Sequence, residues 1–197
     1  MTSDRFERQL EFLVEADKMK TIVRRTMLVD KSRRENDAEH SWHFALMAMI
    51  LAQYCEDESV DMLRVLKMAL VHDLIEVYAG DTFAYDKAGN LTKEKREKEA
   101  ADRLFGILPE DQGAEICALW EEFDAMETPD SRYAASIDRL QPFVNNYMTQ
   151  GYTWAEGDVS RAQVYDRIGI VKSTMPQIWG FVEKVIEEAV ENGQLKP

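Results

Sequence analysis

Hydrophobic residues recur at helical spacing along nearly the whole chain, and no stretch alternates apolar and polar residues for long enough to predict a strand. The first three predicted helices cover about residues 3–19, 37–54 and 60–78. Gly80 lies just past the third of them, at a position where glycine commonly ends a helix. These patterns predict an all-α fold.

The second half of the chain continues the helical pattern. Asp86, Gly89 and Asn90 predict a loop over residues 82–91, and Pro142 predicts a kink or an early stop within a helix. The remaining predicted helices cover about residues 92–108, 110–125, 128–149, 159–173 and 176–192, with a loop at 151–157. Because no internal repeat or linker interrupts this series, we expect one helical domain over residues 1–197.

Charge and composition limit the classes of binding partner and the cellular location. The net charge of −13 disfavours binding to nucleic acid polymers and to anionic membranes. The longest apolar run, residues 44–52, is far shorter than the ~20 residues of a membrane-spanning helix. The chain begins without the apolar stretch of a signal peptide, and Cys55 and Cys117 are predicted to be free thiols in a reducing compartment. These features predict a cytoplasmic protein.

The first candidate functional residues are His72 and Asp73, which lie in an otherwise apolar helical segment. A carboxylate is costly to bury there unless it is paired or bound to a cation. On a regular helix Glu76 shares a face with His72, since it follows four residues later. A divalent cation on His72 and Asp73 would offset the cost of burial, with Glu76 placed to accept a proton from water.

An ordinary polar pair, or an arginine partner, would satisfy these residues as well. Two other positions favour a metal. His40 lies in the first turn of the second predicted helix, and Asp138 is an isolated acid in another apolar helix. Asp138 could instead pair with an arginine from its own or a neighbouring helix.

The order of His40, His72-Asp73 and Asp138 resembles that of the HD-domain metal-dependent phosphohydrolases. The resemblance is closest to the 5′-deoxynucleotidase branch and its HD-domain-containing relatives, and it covers about residues 8–185. Other matching positions are Arg25, residues 33–41, residues 72–76 and residues 80–82.

The resemblance implies that His40, His72, Asp73 and Asp138 ligate one divalent ion. It implies that the substrate is a small phosphomonoester, most closely a (deoxy)nucleoside 5′-monophosphate, and it allows a homodimer. Further residues match functional positions of the family: Glu76 and Asp81 match the acid/base carboxylates, and Arg25 matches a basic residue that contacts the nucleotide.

The chain departs from the deoxynucleotidase branch at one position. A tryptophan that helps to recognise the sugar follows the matching arginine in that branch, whereas Thr26 follows Arg25 here. This difference leaves hydrolysis intact and puts discrimination between deoxyribose and ribose in doubt.

The chemistry of the donor set limits the metal. Two imidazoles and two carboxylates without a thiolate suit Mn²⁺, Co²⁺, Fe²⁺, Ni²⁺ or Mg²⁺, with Zn²⁺ as a further candidate. A second ion would need more histidines, and only His43 remains. We therefore expect one ion, with His43 outside the ligand set.

Three alternatives stay open at this point. The substrate could be another phosphoester, such as a cyclic nucleotide, a nucleoside triphosphate or an alarmone. The metal could be purely structural in a helical binding module, although such a site has no need of Glu76 and Asp81. Finally, the chain could be a metal-free acidic interaction protein. Arg24, Arg25, Arg33 and Arg34 form a basic cluster that would either meet phosphate or lie in a solvated loop.

Overall fold

The computed structural model describes residues 4–197, and helices dominate this part of the chain. Short 3₁₀ helices cover Asp17–Thr21, Ala52–Tyr54 and Pro176–Ile178. The first half contains α1 (Asp4–Ala16), β1 (Val23–Met27), β2 (Arg34–Asn36), α2 (Asp37–Leu51), α3 (Met62–Val71), α4 (Glu76–Ala79), α5 (Lys87–Asn90) and α6 (Lys93–Phe105). The second half contains α7 (Glu110–Ala125), α8 (Pro129–Met148), α9 (Tyr152–Glu156), α10 (Arg161–Ile168), α11 (Ile170–Thr174) and α12 (Trp179–Glu191).

The core forms where α2, α3 and α8 pack against one another. Phe44, Met68 and Ile137, one from each helix, are fully buried at this junction. Tyr133 on α8 is also buried, and its hydroxyl donates a 2.8 Å hydrogen bond to the carbonyl of Ala48 on α2. The predicted all-α helical bundle is confirmed, and the candidate metal ligands lie on α2, on α8 and directly after α3.

The sequence did not predict the antiparallel ribbon of β1 and β2, which pairs Val23 with Asn36 and Met27 with Arg34. The two strands have five and three residues, and an irregular register separates the paired positions. Strands this short carry too few residues for alternation to stand out from a charged loop. Arg24, Arg25 and Arg34 of the basic cluster therefore lie in the strands, whereas Arg33 lies exposed in the connection between them.

A second difference occurs at the predicted third helix, which is not continuous. After Val71 the hydrogen bonds tighten to a three-residue spacing, as in the 2.9 Å bond from the Glu76 amide to the Asp73 carbonyl. The carbonyl of Ala69 accepts a 3.1 Å hydrogen bond from His72 Nδ1. In a regular α-helix this carbonyl would accept from the amide of Asp73. The helical spacing expected between His72 and Glu76 therefore does not hold, and Asp73 is the residue that lies close to Glu76.

Smaller corrections concern the loops. The helix containing Pro142 does not stop there but continues to Met148. Single helical turns, α9 and α5, lie in the two segments that were predicted as loops. Gly169 divides the helix expected over 159–173 into α10 and α11. Within the described residues, no helix is both long and apolar enough to cross a membrane.

The N-terminal helix α1 is fastened to the α6–α7 connection by Arg8. Its guanidinium donates to the carbonyls of Gly106, Ile107 and Leu108 at 2.8, 2.9 and 2.6 Å. These carbonyls follow the end of α6, where no later amide of the helix reaches them. Arg8 thus replaces the missing donors at this connection.

We expect Arg8→Ala to lower the free energy of unfolding by about 2 kcal/mol, because three carbonyls lose a charged donor. Chemical denaturation of the purified protein measures this change. Arg5→Ala is the matched control, since Arg5 lies on the same helix and pairs with Asp111 at an exposed site. Equal loss in the two variants would contradict the role given to Arg8.

Candidate metal centre

Four predicted ligand side chains meet between α2, α3 and α8. Asp138 Oδ1 lies 3.0 Å from His40 Nε2 and 3.7 Å from His72 Nε2. Asp73 Oδ2 lies 3.1 Å from His72 Nε2 and 3.8 Å from His40 Nε2. Each imidazole therefore faces both carboxylates, although the residues are up to 98 positions apart in sequence.

These distances suit a shared cation. Metal bonds of about 2.1 Å place neighbouring ligand atoms roughly 3.0 to 3.4 Å apart, for octahedral and tetrahedral arrangements respectively. The four nitrogen–oxygen distances begin at this spacing and exceed it by only a few tenths of an ångström. Ligand atoms of His40, His72 and Asp73 lie within 4.8 Å of one another, and Asp138 would complete the set through its contacts to both imidazoles.

The outer nitrogen of His40 is fixed by a buried amide. His40 Nδ1 lies 2.9 Å from Gln141 Oε1, and Gln141 Nε2 donates to Glu35 Oε2 at 2.9 Å. Because Glu35 accepts only, the amide must present its oxygen to His40, which donates from Nδ1. Without an ion, His40 Nε2 lies 3.0 Å from Asp138 Oδ1 and donates a hydrogen bond to it. A bound cation would replace that proton, and the lone pair of Nε2 would then be directed at the ion.

His72 is held in the same tautomer by a backbone group. Its Nδ1 donates to the Ala69 carbonyl, and its Nε2 is buried with no hydrogen-bond partner among the described residues. A buried polar atom without a partner is rare and calls for a ligand. The donor set and this orphaned nitrogen together fit a divalent metal ion.

The two candidate ligand carboxylates are ionised. Burial alone would raise the pKa of Asp73, but His72 and Arg24 outweigh it and hold that pKa well below its usual range. Burial also opposes ionisation of Asp138, whose pKa is likewise held low by the hydrogen bond to His40 and by the charge of Arg167. Both groups are therefore ready to bind a cation at neutral pH.

A second group of acids adjoins the first. Oxygens of Asp37, Asp73 and Glu76 lie within 4.8 Å of one another. Burial, followed by the charges of Asp73 and Asp37, raises the pKa of Glu76, while burial and Asp73 raise the pKa of Asp37 to about 7. A carboxyl group with a raised pKa can gain and lose a proton near neutral pH, which general acid–base chemistry requires.

Asp81 reaches the same cavity from the turn after α4. Gly80 has φ 75° and ψ 149°, a conformation that is almost restricted to glycine. Arg96 on α6 then pins the turn by donating to the Ala79 carbonyl at 2.6 Å and to Thr82 Oγ1 at 2.8 Å. Burial is the main cause that raises the pKa of Asp81.

The neighbouring arginines Arg24 and Arg25 take different directions from β1. Arg24 turns inward, where it pairs with Asp73 at 2.7 Å, Asp37 at 3.3 Å and Glu35 at 3.4 Å. Arg25 lies over the ring of Phe83, 4.8 Å from its centroid, and lines the cavity. Thr26, which follows, is buried at the same wall.

Sequence reasoning missed several residues that organise the site. Arg24 belonged to the recognised basic cluster, but only its place in the strand directs it to the acids. Gln141 gave no signal, because its partner His40 is 101 residues away. Asp37 precedes His40 by three residues, so its presence near that predicted ligand was a usable clue.

Comparison with known families decides the classification. A family model described as an HD domain matches residues 16–179. The chain belongs to the HD-domain family. This result confirms the resemblance seen in the sequence.

Several relatives of this chain are named as 5′-deoxynucleotidases. A 5′-deoxynucleotidase HDDC2 of Danio rerio is 27% identical over 92% of this chain and 88% of its own length. The protein of the same name from Dictyostelium discoideum is 31% identical over 70% of this chain and 75% of its own.

A solved structure from Magnetospirillum magnetotacticum, described as a predicted metal-dependent phosphohydrolase, is more similar. It is 49% identical, has a TM-score of 0.92, and aligns with 98% of this HD-domain chain and 96% of its own.

We expect Gln141→Leu to weaken binding of Mn²⁺ about 10- to 100-fold, because His40 loses the partner that fixes its tautomer. Titration calorimetry of the metal-free protein measures the affinity. Ser136→Ala is the control, since Ser136 is a buried polar residue of the same helix that bonds to Thr174 instead. Equal affinities in the two variants would contradict the coupling between Gln141 and the metal.

Proposed function

We propose that this chain is a metal-dependent phosphohydrolase that removes the 5′-phosphate from (deoxy)nucleoside monophosphates. The observation that carries the proposal is the position of Glu76 and Asp81. Both line the cavity that contains His72, Asp73 and Asp138. A metal bound only for structural reasons does not require two further carboxyl groups of raised pKa beside it. The names of the relatives support the class of substrate.

We assign His40, His72, Asp73 and Asp138 as the ligands of one divalent ion, with Mn²⁺, Co²⁺, Fe²⁺, Ni²⁺, Mg²⁺ and Zn²⁺ as the candidates. When bound, the ion supplies Lewis acidity that withdraws electron density from the phosphate. His43 supports a single ion, because its Nδ1 accepts a 3.1 Å hydrogen bond from Gln141 Nε2 and belongs to the supporting network.

The proton transfers fall to the two remaining carboxyl groups. Glu76 lies closer to the ligand Asp73, and its Oε2 is buried without a partner among the described residues. We assign Glu76 Oε2 as the acceptor of the proton from the attacking water. Asp81, on the turn that Arg96 fixes, then donates a proton to the leaving 5′-oxygen of the nucleoside.

Arg25 is the proposed nucleotide-binding residue. Its guanidinium lies against Phe83 at the cavity wall, and the described residues include no carboxylate within ion-pair distance of it. A planar guanidinium in this position can donate hydrogen bonds while it remains stacked on the ring. The homodimer and the cytoplasmic location remain predictions from the sequence.

A substrate panel tests the proposed reaction. With added Mn²⁺ or Co²⁺, we expect release of inorganic phosphate from nucleoside 5′-monophosphates, with kcat/KM for ribose and deoxyribose substrates within about tenfold, because an extra hydroxyl is only weakly discriminated without a dedicated partner. Inactivity on all monophosphates, with cleavage of a cyclic nucleotide, a triphosphate or an alarmone, would favour the alternative phosphoester.

The role of Glu76 has its own test. Glu76→Gln should lower kcat by about 100-fold or more, since the proton acceptor is lost, while elemental analysis finds the metal retained. Glu97→Gln is the matched control, because Glu97 lines the same cavity and pairs with Lys93. Full activity of Glu76→Gln, or loss of its metal, would show that the assigned role is wrong.

A further inference from the structure

Two arginines line the cavity near Asp138. Arg139 follows Asp138 on α8 and Arg167 belongs to α10, and both line the cavity. Arg167 Nη2 lies 3.4 Å from Asp138 Oδ2, the oxygen that does not face the imidazoles. The guanidinium of Arg167 is therefore separated from the metal centre by a single carboxylate.

Most other cations of this cavity are already neutralised. Arg24 has three carboxylates within 3.4 Å, and Lys93 pairs with Glu97 at 3.5 Å. In contrast, Arg139 forms no ion pair in the described residues and Arg167 forms one, with Asp138, which already faces two imidazoles. Among the cations of this cavity in the described residues, Arg25 and Arg139 therefore form no ion pair, and Arg167 shares its only carboxylate with the candidate metal centre.

Arg139 is the less satisfied of the two. It is partly buried, and its guanidinium donates to the sulfur of Met126 at 3.0 Å, which is a weak acceptor. No carboxylate in residues 4–197 forms an ion pair with it. Burial, followed by the like charge of Arg167, lowers the pKa of Arg139. Two cations that line one cavity repel each other, and an anion bound between them would relieve that repulsion.

We propose that Arg139 and Arg167 form the subsite that binds the phosphate group of the substrate and the inorganic phosphate product. This inference rests on the proposed function, and it assigns the phosphate to α8 and α10 while Arg25 is left to contact the nucleoside. Guanidinium groups match phosphate because two parallel N–H donors meet two oxygens. The pair stands beside Asp138, so a phosphate held there also lies beside the metal ligands.

Binding of inorganic phosphate tests the subsite directly. In titration calorimetry of the Mn²⁺-loaded protein, we expect Arg139→Gln and Arg167→Gln each to raise the Kd for phosphate about tenfold, the usual effect of losing one charged hydrogen bond. The matched controls are Arg132→Gln on α8 and Arg161→Gln on α10, which remove exposed arginines of the same helices and should leave this Kd within about twofold.

Metal content distinguishes a role of Arg167 in binding phosphate from a role in positioning Asp138. Elemental analysis should find the same manganese content in Arg167→Gln as in the wild type. Loss of manganese, with an unchanged phosphate Kd for the molecules that remain loaded, would overturn the proposal and leave Arg167 as a positioning residue. An unchanged phosphate Kd in both glutamine variants would overturn it as well.

Lysine variants provide a second test if a glutamine variant does not fold. If circular dichroism shows that a glutamine variant is unfolded, Arg139→Lys and Arg167→Lys take its place, since they keep the charge and lose the paired donors. We expect a higher phosphate Kd in each, and a wild-type Kd in both would refute paired recognition. Because this assay needs no turnover, weaker phosphate binding in the variants would support the subsite even if the monophosphate panel were negative.

Discussion

Two carboxylates and two imidazoles are gathered at one buried point, and the energy of that cluster constrains the rest of the structure. Asp73 and Asp138 are like charges in a poorly solvated place, which is costly without a cation between them. A metal ion bound to both Nε2 atoms requires neutral imidazoles, so the ion would itself supply the positive charge. The outer contacts of His40 and His72, to Gln141 and the Ala69 carbonyl, orient both Nε2 atoms toward the carboxylates. A divalent ion would satisfy the two carboxylates and the two Nε2 atoms together.

The packing of α2, α3 and α8 brings the candidate ligands together. α2 and α8 contribute His40 and Asp138, and the tight turn that directly follows α3 contributes His72 and Asp73. The fully buried side chains of Phe44, Met68 and Ile137 hold these three elements together, so the core sets the ligand positions.

Other residues of the cavity come from the shorter elements around this core. The ribbon supplies Arg24 and Arg25, the turn after α4 supplies Asp81, and α10 supplies Arg167. The candidate ligands thus lie on or directly beside the central helices, and the remaining charged residues of the cavity lie on the elements around them.

The sequence predicted the long periodic helices well, and α7 has the predicted bounds. It also supplied the four candidate ligands, because their order matches a family and buried acids in apolar helices are unusual. It failed where structure depends on contacts between distant residues. The ribbon is too short to show alternation, and the tight turn at His72 depends on a side-chain hydrogen bond that competes with the helix. The roles of Gln141 and Arg24 become apparent only in the folded structure, where α8 and β1 bring these residues next to the candidate ligands.

The central claim is that one cation joins His40, His72, Asp73 and Asp138. Elemental analysis of tag-free protein, after exposure to Mn²⁺ and removal of free ions, tests it most directly. The account predicts about one divalent ion per chain in the wild type and a loss of nearly all of it in Asp138→Asn, with the helical circular dichroism spectrum unchanged. A wild-type protein without bound metal, or a folded Asp138→Asn variant with undiminished metal, would contradict it.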